Sequence, residues 1–222
     1  MIYILPILAL IYVAFCVVIF LGWKSLKEDL VPKSYTPQTK CSVVIPFRNE
    51  AAVLKQLLKS LSLLDYPEDK LEVVFINDHS KDNGVQILTQ NNNIELLHLS
   101  ENEEGKKKAL QKGIDAASGE LIITSDADCI FHEKWLRTVV YKYEKENAAL
   151  IAAPVVYKRK QNPFHFFQSL DFIGMQVITG ASFALGKPIA CNGANLAFRK
   201  KDFQEFCLSK QRDEIPTGDD VY

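Results

Sequence analysis

The first twenty-three residues, Met1 to Trp23, carry no charge and are apolar almost throughout. About 20 such residues, each rising 1.5 Å in a helix, cross a hydrocarbon core of ~30 Å. A cleaved signal peptide wants a basic start and a small-residue cleavage site, and neither is evident. A buried core helix is rarely apolar on every face for this length. The segment therefore reads as a transmembrane anchor over residues 1–23. Lys24, Lys27 and Lys33 follow it and nothing basic precedes it, which places the C-terminal side in the cytoplasm. Residues 24–40 are polar, contain Pro32 and Pro37, and read as a juxtamembrane linker.

From Cys41 two textures alternate. Short β-branched runs at 41–46, 71–76, 94–99, 120–124 and 150–157 predict five strands. Between them, apolar residues recur at helical spacing. Val53, Leu54, Leu57, Leu58, Leu61 and Leu64 mark one helix; Val85, Ile87 and Leu88 mark another. Further helices are predicted over 107–117 and 135–146. Nearly continuous apolar strands separated by amphipathic helices predict an α/β domain with a mainly parallel sheet, flanked by helices on both faces. Ligands then bind where the strands end. The aromatic-rich stretch 163–183 predicts a helix packed on the domain core, with contact to the bilayer as the alternative.

Composition narrows the classes. The 222 residues are 48% hydrophobic and 24% charged, with a net charge of -1. No basic face is implied, so nucleic acid is not an expected partner. Five scattered cysteines without CxxC spacing read as reduced thiols.

Three predicted strands deliver polar clusters to one edge: Pro46-Phe47-Arg48-Asn49-Glu50, Asn77-Asp78-His79-Ser80-Lys81-Asp82, and Ser125-Asp126-Ala127-Asp128. Taken singly, each could be turn formers, and Ser80 or Asp82 could merely cap a helix. Their joint arrival is harder to ascribe to turns. Asp126 and Asp128 leave a strand close together, and like charges this near repel unless a cation intervenes or one is protonated. Mg²⁺ or Mn²⁺, bound through one or two carboxylates plus substrate phosphates, fits that chemistry.

The ordered set Ser42-Val43-Val44-Ile45-Pro46, Asn77-Asp78-His79-Ser80-Lys81-Asp82, Gly105-Lys106-Lys107-Lys108-Ala109-Leu110 and Asp126-Ala127-Asp128 resembles the family-2 glycosyltransferases. The resemblance implies a GT-A fold, Rossmann-like, spanning 41–222. It implies a nucleotide-binding half over about 41–130 and an acceptor half over about 131–222. It implies that Pro46, Arg48, Glu50, Asp78, Lys106 and Asp126 bind the nucleotide sugar, and that Asp128 with Asp126 holds Mg²⁺ or Mn²⁺. His79 stands where glycine is commonest. Gly193, Ala194 and Asn195 resemble the acceptor-side segment. Asp219 and Asp220 resemble the acidic base motif, with Asp220 as base. Family members continue beyond that motif, so the chain reads as a C-terminally incomplete catalytic domain.

The implied reaction is inverting transfer from a nucleotide-diphosphate donor, a UDP-sugar, to a lipid or saccharide hydroxyl, at the cell membrane. The rival classes are a nucleotidyltransferase, for which no Gly-rich phosphate loop follows the first strand, a glycoside hydrolase, which needs no nucleotide pocket, and a nucleotide-binding membrane scaffold or sensor without turnover.

Overall fold

The computed structural model describes residues 3–158 and 162–209. These fall into two compact units, one formed by residues up to Asp29 together with Pro154–Asn192, the other by Leu30–Ala153 and the segment from Gly193.

The second unit holds the sheet. Its strands are β1 (Cys41–Phe47), β2 (Leu71–Asn77), β3 (Glu95–His98), β4 (Leu121–Thr124), β5 (Leu150–Ala152) and β6 (Leu196–Arg199). Their order across the sheet is β3-β2-β1-β4-β6-β5. β1 runs parallel to β2 and to β4, and β2 parallel to β3. β6 is antiparallel to both β4 and β5. The sheet is thus mainly parallel, as the apolar strand runs predict, with one reversed strand inserted near its far edge. The helices here are α2 (Ala51–Leu61), α3 (Gly84–Thr89), α4 (Lys106–Ala116), α5 (Trp135–Glu146) and, after β6, α7 (Lys200–Ser209); α1 (Ile4–Ser25) and α6 (Pro163–Ala184) belong to the first unit.

All seven residues of β1 are buried, because both of its faces are covered. Val43 and Ile45 join Phe75, Leu121 and Ile123 in a core closed by Leu54 and Leu57 of α2 and by Leu136, Val139 and Val140 of α5. Alternation sends Val44 and Ile76 to the opposite face. There α4 lies so close that a Cβ on Gly113 would come within 2.6 Å of Val44 Cγ1.

One expectation is corrected and two features are added. The fifth strand stops at Ala152 instead of reaching residue 157; Pro154 supplies no N–H to prolong the ladder. β6 was hidden, because four residues between a turn and a helix carry no readable period. From Tyr35 onward the segment before β1 is bonded to α5. Glu144 of α5 accepts from Tyr35 Oη (2.7 Å), from the Gln38 and Thr39 amides (2.8 Å each) and from Thr39 Oγ1 (2.8 Å). Burial opposes its charge, yet those hydrogen bonds hold the Glu144 carboxyl below the usual carboxylate range.

α6 is helical where predicted, but it buries only Ala181 and Ser182. Phe164, Phe166 and Phe167 are about two-thirds exposed.

Entry into β4 is a tight point. A Cβ on Gly119 would sit 2.6 Å from the Ser42 backbone N, and the Gly119 amide already donates to Ser42 Oγ at 2.8 Å. Backbone cannot swing aside as a side chain can. Gly119→Ala is expected to cost about 1–3 kcal/mol and lower the thermal midpoint by roughly 2–4 °C per kcal/mol. An unchanged melting curve would contradict this reading.

Candidate active site

Because β1, β2 and β4 are parallel neighbours, their C-terminal ends open on one edge. β1 delivers Arg48, Asn49 and Glu50; β2 delivers Asp78 and His79; β4 delivers Asp126 and Asp128. α4 starts at the same edge with Lys106. The structure therefore brings together Arg48, Glu50, Asp78, Lys106, Asp126 and Asp128. Pro46 is buried within β1, paired in register with Ile76, beyond the stretch paired with β4.

The strand-end loops are tied to one another. The Asn49 amide donates to Ser80 Oγ (3.0 Å), and the Lys81 amide donates to Asn49 Oδ1 (2.8 Å). Asp82 accepts from the Ala51 amide at 2.8 Å and the Gly84 amide at 3.0 Å, which are the first residues of α2 and α3. Asp82 is thus a shared helix cap, the plainer of its two expected roles. Asn49 and His79 both have left-handed backbones, with φ of 58° and 54°. His79 adopts the conformation a glycine would favour, and its Nε2 lies 2.8 Å from the Glu103 carbonyl, a tertiary contact that offsets the local strain.

Asp78 is the most enclosed acid of the cluster. Its Oδ2 accepts from the Gly105 amide at 3.2 Å and lies 3.5 Å from Arg48 Nη1. Its Oδ1 is buried without a hydrogen-bond partner, alone in this among the described residues. Arg48 also reaches Glu104 Oε1 at 2.6 Å. Glu104 was not foreseen, because Glu101-Asn102-Glu103-Glu104 reads as a solvated acidic loop. Lys106 Nζ sits 2.8 Å from Asp126 Oδ1. Both ion pairs are substantially exposed, so each adds little to stability and is readily exchanged for a charged ligand.

Asp128 is exposed in the turn after β4, and the Cys129 amide donates to the Asp126 carbonyl at 3.2 Å. Burial, reinforced by the charges of Asp128, Asp82 and Asp126, pushes the Glu50 carboxyl above its ordinary range. The edge thus has a surplus of negative charge, the setting in which a cation binds. Among the described residues, no three or more His, Cys, Asp or Glu are grouped to hold a metal ion by themselves. Two carboxylates completed by ligand phosphates suit Mg²⁺ or Mn²⁺, so the residues present fit such an ion.

Gly193, Ala194 and Asn195 are buried in a short 3₁₀ turn before β6. Thr124 Oγ1 donates to the Gly193 carbonyl (2.6 Å), and the Trp135 indole N–H donates to Asn195 Oδ1 (2.9 Å). Trp135 stacks on Phe131, the ring centroids 4.0 Å apart. This latch was not legible, since nothing in the sequence links Trp135 to Asn195. Asp219 and Asp220 lie outside the described residues. A shallow surface cavity of about 370 Å³ lies elsewhere, at the opposite ends of β1 to β3, lined by Lys40, Leu71 and Glu95.

A mainly parallel sheet with acids gathered at its C-terminal edge is an α/β arrangement of the GT-A kind. The family model for Glycosyl transferase family 2 matches residues 42–206, and the chain belongs to that family. It is 29% identical over 120 residues to glycosyltransferase AglE of Haloferax volcanii, covering 52% of this chain and 39% of the relative. It is 32% identical over 118 residues to the poly-β-1,6-N-acetyl-D-glucosamine synthase of Staphylococcus epidermidis, covering 51% of this chain and 28% of that enzyme. The chain therefore spans well under half the length of these relatives. Among solved structures, the mannosyltransferase PcManGT of Pyrobaculum calidifontis, in complex with GDP-Man and Mn²⁺, has the same fold. Its TM-score is 0.61 at 24% identity, covering 90% of this chain and 56% of that one.

Removing the shared cap tests how the edge is held. Asp82→Ala leaves two helix-start amides without their acceptor and is expected to cost about 0.5–2 kcal/mol. A lower thermal midpoint, largely restored in Asp82→Asn, is the expected result. No loss of stability in Asp82→Ala would remove the cap.

Proposed function

We propose that the chain is the catalytic part of an inverting glycosyltransferase. It moves a sugar from a UDP-sugar to a hydroxyl of a lipid or a growing polysaccharide, assisted by Mg²⁺ or Mn²⁺. The observation that carries the reading is the convergence of Arg48, Glu50, Asp78, Lys106, Asp126 and Asp128 on one sheet edge. The proposal keeps a nucleotide half over about 41–130 and an acceptor half over about 131–222, and keeps α1 as a membrane span with the catalytic domain on the cytoplasmic side.

Each group has a task in this scheme. Asp78 Oδ1 is a buried acceptor without a donor, a condition that costs about 1–3 kcal/mol and is relieved by a base N–H. The uracil ring offers one. Arg48 and Lys106 exchange their ion pairs with Glu104 and Asp126 for the diphosphate. Pro46 backs the base site from within β1. Asp126 and Asp128 hold the divalent ion, which when bound neutralises charge on the departing diphosphate. Gly193, Ala194 and Asn195, braced by Thr124 and Trp135, form the acceptor side. Asp220 takes the acceptor proton as the new glycosidic bond forms on the face opposite the breaking one, and Asp219 helps to position the acceptor. The likeness to a synthase that makes a polysaccharide supports the acceptor class, and a fold neighbour that binds Mn²⁺ supports the metal.

Calorimetric titration tests donor and metal together. UDP should bind in the presence of Mn²⁺ about tenfold or more tightly than GDP, since tenfold corresponds to ~1.4 kcal/mol. Asp128→Ala should abolish the Mn²⁺-dependent gain while leaving the melting temperature unchanged. Preference for GDP would end the uridine assignment, and binding indifferent to chelators would end the metal assignment.

Chemistry is tested by UDP release with and without acceptor. Asp220→Asn should slow turnover by ~10²–10⁴ with donor affinity intact, and Asp219→Asn should be milder. Wild-type turnover in Asp220→Asn would remove it as the base.

A further inference from the structure

Three consecutive residues at the start of α4, Glu104, Gly105 and Lys106, each reach a different residue of the acidic edge. Glu104 Oε1 lies 2.6 Å from Arg48 Nη1, the Gly105 amide donates to Asp78 Oδ2 at 3.2 Å, and Lys106 Nζ lies 2.8 Å from Asp126 Oδ1. Arg48, Asp78 and Asp126 follow β1, β2 and β4 respectively. One short stretch of chain thus touches what all three parallel strands deliver.

The signs of these contacts match those of a ligand. Glu104 places an anion on Arg48, and Lys106 places a cation on Asp126. The hydrogen bond from Arg48, and after it the Arg48 charge, holds the Glu104 carboxyl below the usual carboxylate range. A nucleotide diphosphate with its divalent ion carries the same two charges: phosphate oxygens that suit a guanidinium, and a hard cation that suits a carboxylate. Gly105 separates the two ionic residues. Its φ of 98° is a conformation that residues with a Cβ rarely adopt, whereas an added Cβ would meet nothing within 4 Å. The glycine therefore serves the path of the backbone, which lets Glu104 reach Arg48 while Lys106 reaches Asp126.

The side chains of Arg48 and Glu104 are 46% and 70% exposed, and those of Lys106 and Asp126 are 44% and 36% exposed. Such pairs add little to stability, so their effect falls on ligands. A divalent ion arriving alone at Asp126 meets the ammonium of Lys106, a charge of its own sign. A diphosphate arriving alone at Arg48 meets the carboxylate of Glu104, again of its own sign. Only a complex carrying both charges replaces both contacts together, with Lys106 then free to turn to the phosphates.

We propose that Glu104-Gly105-Lys106 is an internal stand-in for the ionic parts of the donor, which makes the site selective for the metal–diphosphate complex over the free ion or the free nucleotide. The inference rests on the proposed function and names the form in which that site takes its donor.

Titrating Mn²⁺ and UDP separately and together into the full chain in detergent tests it. Bound Mn²⁺ is read from loss of the free-ion spin-resonance signal, and UDP in the presence of chelator by calorimetry. Lys106→Met should tighten Mn²⁺ alone, and Glu104→Gln should tighten UDP alone, each by about fivefold, as removal of one like charge near the ligand implies. Lys108→Met and Glu101→Gln make the same charge changes nearby and should shift the corresponding affinity far less. A gain in affinity cannot arise from misfolding. No gain, or gains matched by these controls, with Mn²⁺ and UDP still binding the wild type together, would overturn the stand-in and leave the proposed function in place. A gain in only one of the two variants would overturn the paired device. Failure of the wild type to bind Mn²⁺ even with UDP would remove the metal from the proposed function, and the stand-in with it.

Discussion

The parallel pairing of β1 with β2 on one side and β4 on the other is the constraint on which the site depends. Three strands running the same way must end on the same edge, and whatever follows them is gathered there without any local attraction. β1 holds this position because its residues are apolar on both faces and buried throughout. α2 and α5 cover one face and α4 the other. A polar substitution on either face of β1 would face a packed helix. Burial, and after it the charges of Asp128, Asp82 and Asp126, raises the Glu50 carboxyl, so neither desolvation nor like charge favours gathering the acids at the edge. Sheet packing, not electrostatics, brings them together.

That division explains what was legible. Buried parallel strands are continuous apolar runs, so β1, β2 and β4 and the edge they define could be read from the chain. α5 was legible to the residue, since its apolar period is strong over twelve residues. Arg48, Glu50, Asp78, Asp126 and Asp128 could be placed at that edge because each follows a strand, whereas their roles came from the resemblance of the ordered motifs. What could not be read depends on contacts between distant segments. β6 is four residues long and is made a strand by two neighbours. The pinning of the linker depends on Glu144, 105 residues beyond Thr39 in the chain, and the Asn195–Trp135 latch spans 60 residues. α6 was legible as a helix.

His79 shows how a local departure can be absorbed. The left-handed backbone there suits glycine, and a histidine costs about 1–2 kcal/mol more. Its ring contact with the Glu103 carbonyl ties that turn to the loop before α4. The same loop supplies Glu104 to Arg48, and Gly105 to Asp78. The substitution thus leaves the turn in the geometry a glycine would give, and adds a tether between two loops of the site.

The tethers also determine what a ligand must displace. Backbone bonds among the loops, Asn49 to Ser80, Lys81 to Asn49 and Asp82 to Ala51 and Gly84, hold the cradle. The groups facing its opening are joined by exposed ion pairs, Arg48 with Glu104 and Lys106 with Asp126. Exposed pairs contribute little to stability, so exchanging them for phosphate oxygens disturbs none of the backbone bonds. The buried Asp78 Oδ1 needs no exchange, since it already lacks a donor. Under the proposed function, a nucleotide diphosphate would meet a site whose backbone is set in advance and whose charged side chains alone must move. Such preorganisation keeps binding energy from being consumed in ordering loops.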